Sequence, residues 1–117
     1  MVSATPLGQG TLVSGQPVRG HAKHVQDVGS VVALLSDPEL AQVIILTESA
    51  SAATVMPLLP EVRGVVCTVG GPTSHIATVA RDFGVTCVVG VAAIQVDQLD
   101  GLSIEIRGDG TVARNDL

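Results

Sequence analysis

Three short apolar runs constrain this chain most: Val43-Ile44-Ile45-Leu46, Gly64 to Val69, and Val85 to Val89. A continuous apolar run bounded by turn residues is expected of a strand covered on both faces. Twenty valines against one aromatic, Phe83, make the core aliphatic and rich in strand. Between the runs, Ser51 to Leu59 sets Ala52, Val55, Met56 and Leu59 at helical spacing, with Pro60 after the end. Thr73 to Phe83 reads as a second helix, stopped by Gly84 at the C′ position. Buried strands alternating with helices predict a three-layer α/β domain with a central sheet.

The flanks are read from their punctuation. Thr11 to Val18, with Gly15, Gln16 and Pro17, predicts a turn between short extended pieces, and Val18 to Val25 a strand. Ser30 to Gln42 reads two ways. Val31, Val32, Leu34 and Leu35 suit a strand, whereas Ser36-Asp37-Pro38-Glu39 reads as a helix start with Pro38 at the first helical position. Ile104 to Val112, with Gly108-Asp109-Gly110 at its centre, predicts a C-terminal β-hairpin.

The 117 residues suit one domain spanning 1–117, because single domains run from about 50 to 250 residues. That length leaves no room for separate nucleotide-binding and substrate-binding domains. Eleven acids against six bases give a net charge of −5, and Lys23 is the only lysine. A basic footprint for nucleic acid is therefore missing, as are the Trp and Tyr platforms that stack single strands. No apolar run approaches the roughly 20 residues of a membrane span. Met1 to Gly10 lacks the basic start and apolar stretch of a signal peptide, so the expected location is cytoplasmic. Cys67 and Cys87 lie within valine-rich segments, which predicts reduced, buried core thiols, with a disulfide or reactive pair as the alternative.

The chemistry concentrates in Gly70-Gly71-Pro72-Thr73-Ser74-His75-Ile76-Ala77-Thr78-Val79-Ala80-Arg81, which joins a buried strand to a helix. Gly70 and Gly71 let the backbone turn and approach a ligand without a Cβ penalty. Behind them the helix N-terminus offers unpaired N–H groups and the positive end of its dipole, a setting suited to phosphate. Thr73 and Ser74 bring hydroxyls that can cap the helix or bind a phosphate oxygen. His75 falls in the first turn, where the positive helix end favours neutral imidazole over imidazolium. Neutral imidazole is a nucleophile, and a phosphoryl group attached to it would sit where negative charge is already favoured.

These twelve residues, continuing through Asp82-Phe83-Gly84-Val85-Thr86-Cys87-Val88-Val89-Gly90, resemble the phosphorylation-site signature of the phosphoenolpyruvate-utilising enzymes. That family includes pyruvate phosphate dikinase, phosphoenolpyruvate synthase, enzyme I of the sugar phosphotransferase system and rifampin phosphotransferase. Val13 to Ala22 is similar to the opening of the family's mobile domain. Val43 to Ser49 resembles the strand and loop that precede the histidine strand, and Asp100-Gly101 with Gly110-Thr111-Val112 resembles the close. The resemblance implies a swivelling β/β/α domain that moves between a nucleotide-binding partner and one that binds phosphoenolpyruvate or another acceptor. It implies that His75 is the phosphorylated histidine and Thr73 its phosphate-binding neighbour, with Gly70 and Gly71 forming the turn. Arg81 matches the arginine that closes the motif, and a structural or docking role suits it better than phosphate contact. Six residues along a helix put it on a different face from His75.

The implied function is a phosphoryl carrier. Nε2 of His75 attacks, and the other ring nitrogen is held as an N–H donor by some acceptor. Neither a phosphate-binding lysine loop nor an acidic cluster for Mg²⁺ is present, so no cofactor is expected on this chain, and ATP or phosphoenolpyruvate with Mg²⁺ is expected on the partners. The chain is then a phosphotransferase component that turns over only with them. Three positions depart from the family pattern: Ile76 where a small residue is usual, Thr78 for an aliphatic one, and Val69 where a polar or acidic one is common. They leave a second reading open, a binding or regulatory module that keeps the fold and is never phosphorylated. His21 and His24 as a metal pair are set aside, since a strand points them to opposite faces with no carboxylate cluster beside them. A Ser74–His75 hydrolase dyad fails because neighbours on a helix diverge by about 100°. Gly70-Gly71 lacks the third glycine of a dinucleotide fingerprint.

Overall fold

The computed structural model describes residues 5–92 and 94–115; residues 1–4, where part of the signal-peptide reading falls, and residues 93, 116 and 117 lie outside them. Among the described residues, eight strands form one mixed sheet: β1 (Thr5–Gln9), β2 (Thr11–Ser14), β3 (Val18–His24), β4 (Val43–Thr47), β5 (Gly64–Cys67), β6 (Thr86–Val89), β7 (Ser103–Ile106) and β8 (Thr111–Arg114). Their order is β1-β8-β7-β3-β4-β5-β6-β2. The run β3-β4-β5-β6 is parallel, with Ile45 opposite Val65 and Val65 opposite Cys87. β7 and β8 form the expected C-terminal hairpin, with Ile106 opposite Val112.

The three apolar runs become β4, β5 and β6, and every residue of these strands is buried. Alternate residues feed two cores. Val43, Ile45, Val65, Cys67, Cys87 and Val89 pack beneath the helices, with Val31, Leu34, Ile76, Ala77 and Ala80. On the other face, Ile44, Leu46, Val66 and Val88 meet Ala22, Ile104, Ile106 and Val112 from the outer part of the same sheet. The sheet must curl to bring these together. β1 and β2 stand at its opposite edges, yet only Gly10 separates them. Gly10 donates to the Gly110 carbonyl at 3.0 Å, and a Cβ there would collide with the Val89 carbonyl and Val91. A side chain at residue 10 would therefore push the two edges apart.

Among the described residues the α-helices are α1 (Val28–Leu35), α2 (His75–Phe83) and the single turn α3 (Val96–Leu99). The segment that reads two ways is helical, but it starts earlier than Ser36. Asp27 caps α1, its carboxylate accepting from the Ser30 N–H at 2.8 Å and hydroxyl at 2.9 Å. Pro38 opens only a turn, in which the Asp37 carboxylate accepts from the Glu39 N–H, and Leu40–Gln42 is a 3₁₀ turn. The helix expected over Ser51–Leu59 also shrinks to a 3₁₀ turn at Met56–Leu58. Pro57 supplies no N–H and pushes the residue before it away from the α region. The apolar spacing still works in part, since Ala52, Val55, Leu58 and Leu59 are buried while Met56 is exposed. α2 ends as expected at Gly84, whose φ of 68° lies in the left-handed region.

Candidate functional site

The site is assembled where β4 and β5 end. In an open parallel sheet, the carboxyl ends of the strands border the crevice where ligands bind. β5 ends at Cys67, and the chain passes through Gly70, with φ of 87°, and Gly71 before α2 begins at His75. A Cβ on Gly70 would press on Ala50 and Ser74, so the loop and its neighbour after β4 approach at a glycine.

His75 is exposed at the first position of α2. Its Nδ1 accepts a hydrogen bond of 3.0 Å from the backbone N–H of Ala52. That reverses the expected donor role of the second ring nitrogen: Nδ1 must carry a lone pair, and the neutral ring keeps its proton on Nε2. The N–H of Ile76 donates to the Ala50 carbonyl at 2.9 Å, so one of the helix-opening donors is already taken. Ser74 uses another, its N–H meeting the Gly71 carbonyl at 3.0 Å. Among the described residues, the N–H groups of His75 and Ala77 have no acceptor.

Neither hydroxyl caps the helix. Ser74 holds the N-cap position, but its Oγ donates to the Gly71 carbonyl at 2.8 Å, closing the turn. Thr73 is exposed in that turn. Arg81 lies in the last turn of α2 and donates to two carbonyls, Pro72 through Nη2 at 2.6 Å and Val13 through Nε at 3.2 Å. It thereby ties β2 and the glycine loop to the helix. Of the departures from the family pattern, Ile76 is fully buried beneath α2, Thr78 donates its hydroxyl to the Ser74 carbonyl at 3.2 Å, and Val69 is exposed. None of the three bonds with the ring.

The other singled-out residues lie apart from this arrangement or beneath it. The His21 ring meets Glu39 at 3.8 Å and the His24 ring meets Glu48 at 3.1 Å, so each imidazole faces a different carboxylate. Among the described residues, no group of three His, Cys, Asp or Glu side chains could hold a metal ion. Cys67 and Cys87 are free and buried on neighbouring strands. Burial pushes both thiols up, Cys87 to about 12 with Cys67 adding to the shift, so neither is a thiolate near neutral pH. A cleft of about 650 Å³ lined by Arg19, Arg63, Glu105 and Arg107 opens where β3 and β5 begin, at the opposite ends of the strands. Volume and chemistry therefore do not coincide. No helix of the described residues is long and apolar enough to cross a membrane.

An exposed histidine at a helix N-terminus, fed by a glycine turn at the carboxyl edge of a parallel sheet, marks an α/β domain that presents an imidazole beside the opening N–H groups of a helix. The chain belongs to the mobile domain family of the PEP-utilising enzymes, whose family model matches residues 40–110. It is 31% identical over 99 residues to rifampicin phosphotransferase of Bacillus subtilis, and 51% identical over 42 residues to pyruvate, phosphate dikinase of Rhizobium meliloti. These matches cover 85% and 36% of the chain but only 11% and 5% of the relatives, so the chain corresponds to a small part of each. In fold, it superposes on the crystal structure of Thermococcus kodakaraensis aconitase X in its holo form with a TM-score of 0.63. That alignment covers 93% of this chain and 98% of the other at 17% identity.

The element that sequence reasoning missed is Ala52. Its contribution is a backbone N–H, which no side-chain pattern announces. The available signal was the alternate spacing of hydroxyls at Thr47, Ser49 and Ser51 in the loop that carries it.

Proposed function

We propose that this chain is a phosphoryl carrier in which Nε2 of His75 takes a phosphoryl group from one partner and passes it to another. The observation that carries the reading is the pairing of Nδ1 with the Ala52 N–H, which occupies Nδ1 and leaves Nε2, once its proton is removed, as the ring nitrogen open to phosphorus. In the forward step a base of the donor partner removes the Nε2 proton, the freed electron pair forms the Nε2–P bond as the P–O bond of the donor breaks, and the departing oxygen takes up the proton. The N–H groups of His75 and Ala77, with the Thr73 hydroxyl, are suited to hold the phosphoryl oxygens, and the helix dipole favours the charge they bring. What the chain supplies is position and electrostatic stabilisation.

The donor and acceptor sites belong to partners. Nucleotide or phosphoenolpyruvate with Mg²⁺ would be bound there, by domains or subunits outside these residues. The exposure of His75 suits a group that two partners must reach in turn, and a swivelling three-layer β/β/α domain supplies the required motion. The relatives named as phosphotransferase and dikinase support the same reading.

Intact mass measured at alkaline pH tests it, because phosphohistidine is acid-labile. Wild type and His75→Ala are incubated with lysate of the source organism plus ATP, or plus phosphoenolpyruvate. One added phosphoryl group in wild type only, lost on acidification, is the expected result. No addition with either donor, in a lysate that phosphorylates a control carrier, favours the binding or regulatory module.

A further inference from the structure

The loop after β4 is held by three hydroxyls in series. Thr47 Oγ1 accepts from the Ser49 N–H at 3.2 Å, Ser49 Oγ from the Ser51 N–H at 3.1 Å, and Ser51 Oγ from the Ala53 N–H at 3.2 Å. Each hydroxyl takes the N–H two residues on, as in a series of ST-turns. The groups left over make the contacts to the histidine segment: the Ala52 N–H to Nδ1 of His75, the Ala50 carbonyl to the Ile76 N–H, and the Ser49 carbonyl to the Cys67 thiol at 3.2 Å.

An N–H directed at Nδ1 requires a lone pair there. Two states of the ring provide one: the neutral Nε2–H imidazole, and the ring phosphorylated on Nε2 with Nδ1 unprotonated. A proton on Nδ1 would face the Ala52 proton and lose the bond. That proton is what labilises the phosphoryl group. When water attacks phosphorus, the new P–O bond forms, the Nε2–P bond breaks and its electron pair returns to Nε2. The ring leaves as neutral imidazole only if Nδ1 is already protonated.

Resting on the carrier reading above, we infer that Thr47, Ser49 and Ser51 are positioning residues that retain the phosphoryl group on His75 by keeping the Ala52 N–H against Nδ1. The charged and titratable groups on the surrounding elements are otherwise engaged or distant. Glu48 pairs with His24, Arg81 is bonded to the Pro72 and Val13 carbonyls, and the Cys67 thiol gives its proton to Ser49. Asp82 lies two turns along α2, about 10 Å from His75.

Two measurements on the full chain test this. Nitrogen chemical shifts of the unphosphorylated protein report the tautomer of His75, expected to be Nε2–H. The protein is then loaded with phosphoramidate, which needs no partner, and loss of the phosphoryl group is followed at pH 6 in wild type and in the Ser49→Ala/Ser51→Ala variant. Both serines are exposed, so the fold should tolerate the change. Loss about fivefold faster in the variant is expected, the scale of one hydrogen bond, with Ser51→Thr, which keeps its hydroxyl, matching wild type. A wild-type ring protonated on Nδ1, or equal rates in all variants, overturns retention while leaving the carrier reading intact. A correctly folded chain that accepts no phosphoryl group from phosphoramidate or from any biological donor overturns both.

Discussion

Arg81 and Pro72 are joined by a 2.6 Å hydrogen bond from Nη2 to the carbonyl oxygen, so the last turn of α2 clasps the loop that feeds its first. The same guanidinium reaches the Val13 carbonyl through Nε. A planar fork can serve both acceptors at once, and an ammonium cannot reproduce that geometry.

Arg81→Lys should therefore keep the charge and lose the clasp. The expected cost is about 1 kcal/mol in urea unfolding, the scale of one net hydrogen bond at an exposed site. Phosphorylation of His75 should slow but persist, because Arg81 bonds to loop carbonyls and not to the ring. A complete loss of phosphorylation in a folded variant would show that Arg81 touches phosphate.

Gly70→Ala tests the turn. With φ of 87°, residue 70 is in the left-handed region, where a Cβ costs roughly 1–2 kcal/mol. The added methyl would also press on Ala50, two residues from the donor to His75. Thermal unfolding should fall, and the carbon and nitrogen resonances of His75 and Ala52 should shift together. An unchanged His75 spectrum would show that the two loops are not mechanically linked.

The buried thiols make alkaline stability depend on pH. Cys87 is pushed up to about 12 from 9.0, chiefly by burial. The folded state therefore holds a proton that the unfolded chain releases. The contribution is fully present below pH 9 and is lost as pH rises toward 12, at a limiting slope of about 1.4 kcal/mol per pH unit. Urea midpoints measured across that range should fall in wild type and fall less steeply in Cys87→Ala. Thiol reagents at neutral pH should leave both cysteines unmodified until the protein is unfolded.

The sheet centre and α2 were legible because their signals are local. Val43–Leu46, Gly64–Cys67 and Cys87–Val89 are apolar without interruption, and Gly84 marks the stop of α2. α1 was not, since Val28, Val31 and Val32 suit either structure, and Asp27 decides the matter through a cap three residues ahead of Ser30. β1, for which no strand was expected, contains Pro6 and Gly8; it is a strand because β8 pairs with it, a relationship of residues about a hundred positions apart. His75, Thr73, Ser74, Gly70 and Gly71 were all placed on one loop and helix start by their order in the chain. The Ala52 N–H entered from a different loop, through backbone geometry, and reversed the role expected of Nδ1.

The central claim is that a phosphoryl group resides on Nε2 of His75. Phosphorus–proton correlation spectra of the phosphorylated chain at alkaline pH test it most directly, because only a phosphorus bonded to nitrogen of the ring couples to the ring protons. One phosphorus coupled to both carbon-bound protons of the His75 ring is predicted, as Nε2 lies between the carbons that carry them. A phosphorus coupled to one ring proton alone, as bonding at Nδ1 would give, or one attached to Thr73, Ser74, His21 or His24, would contradict it.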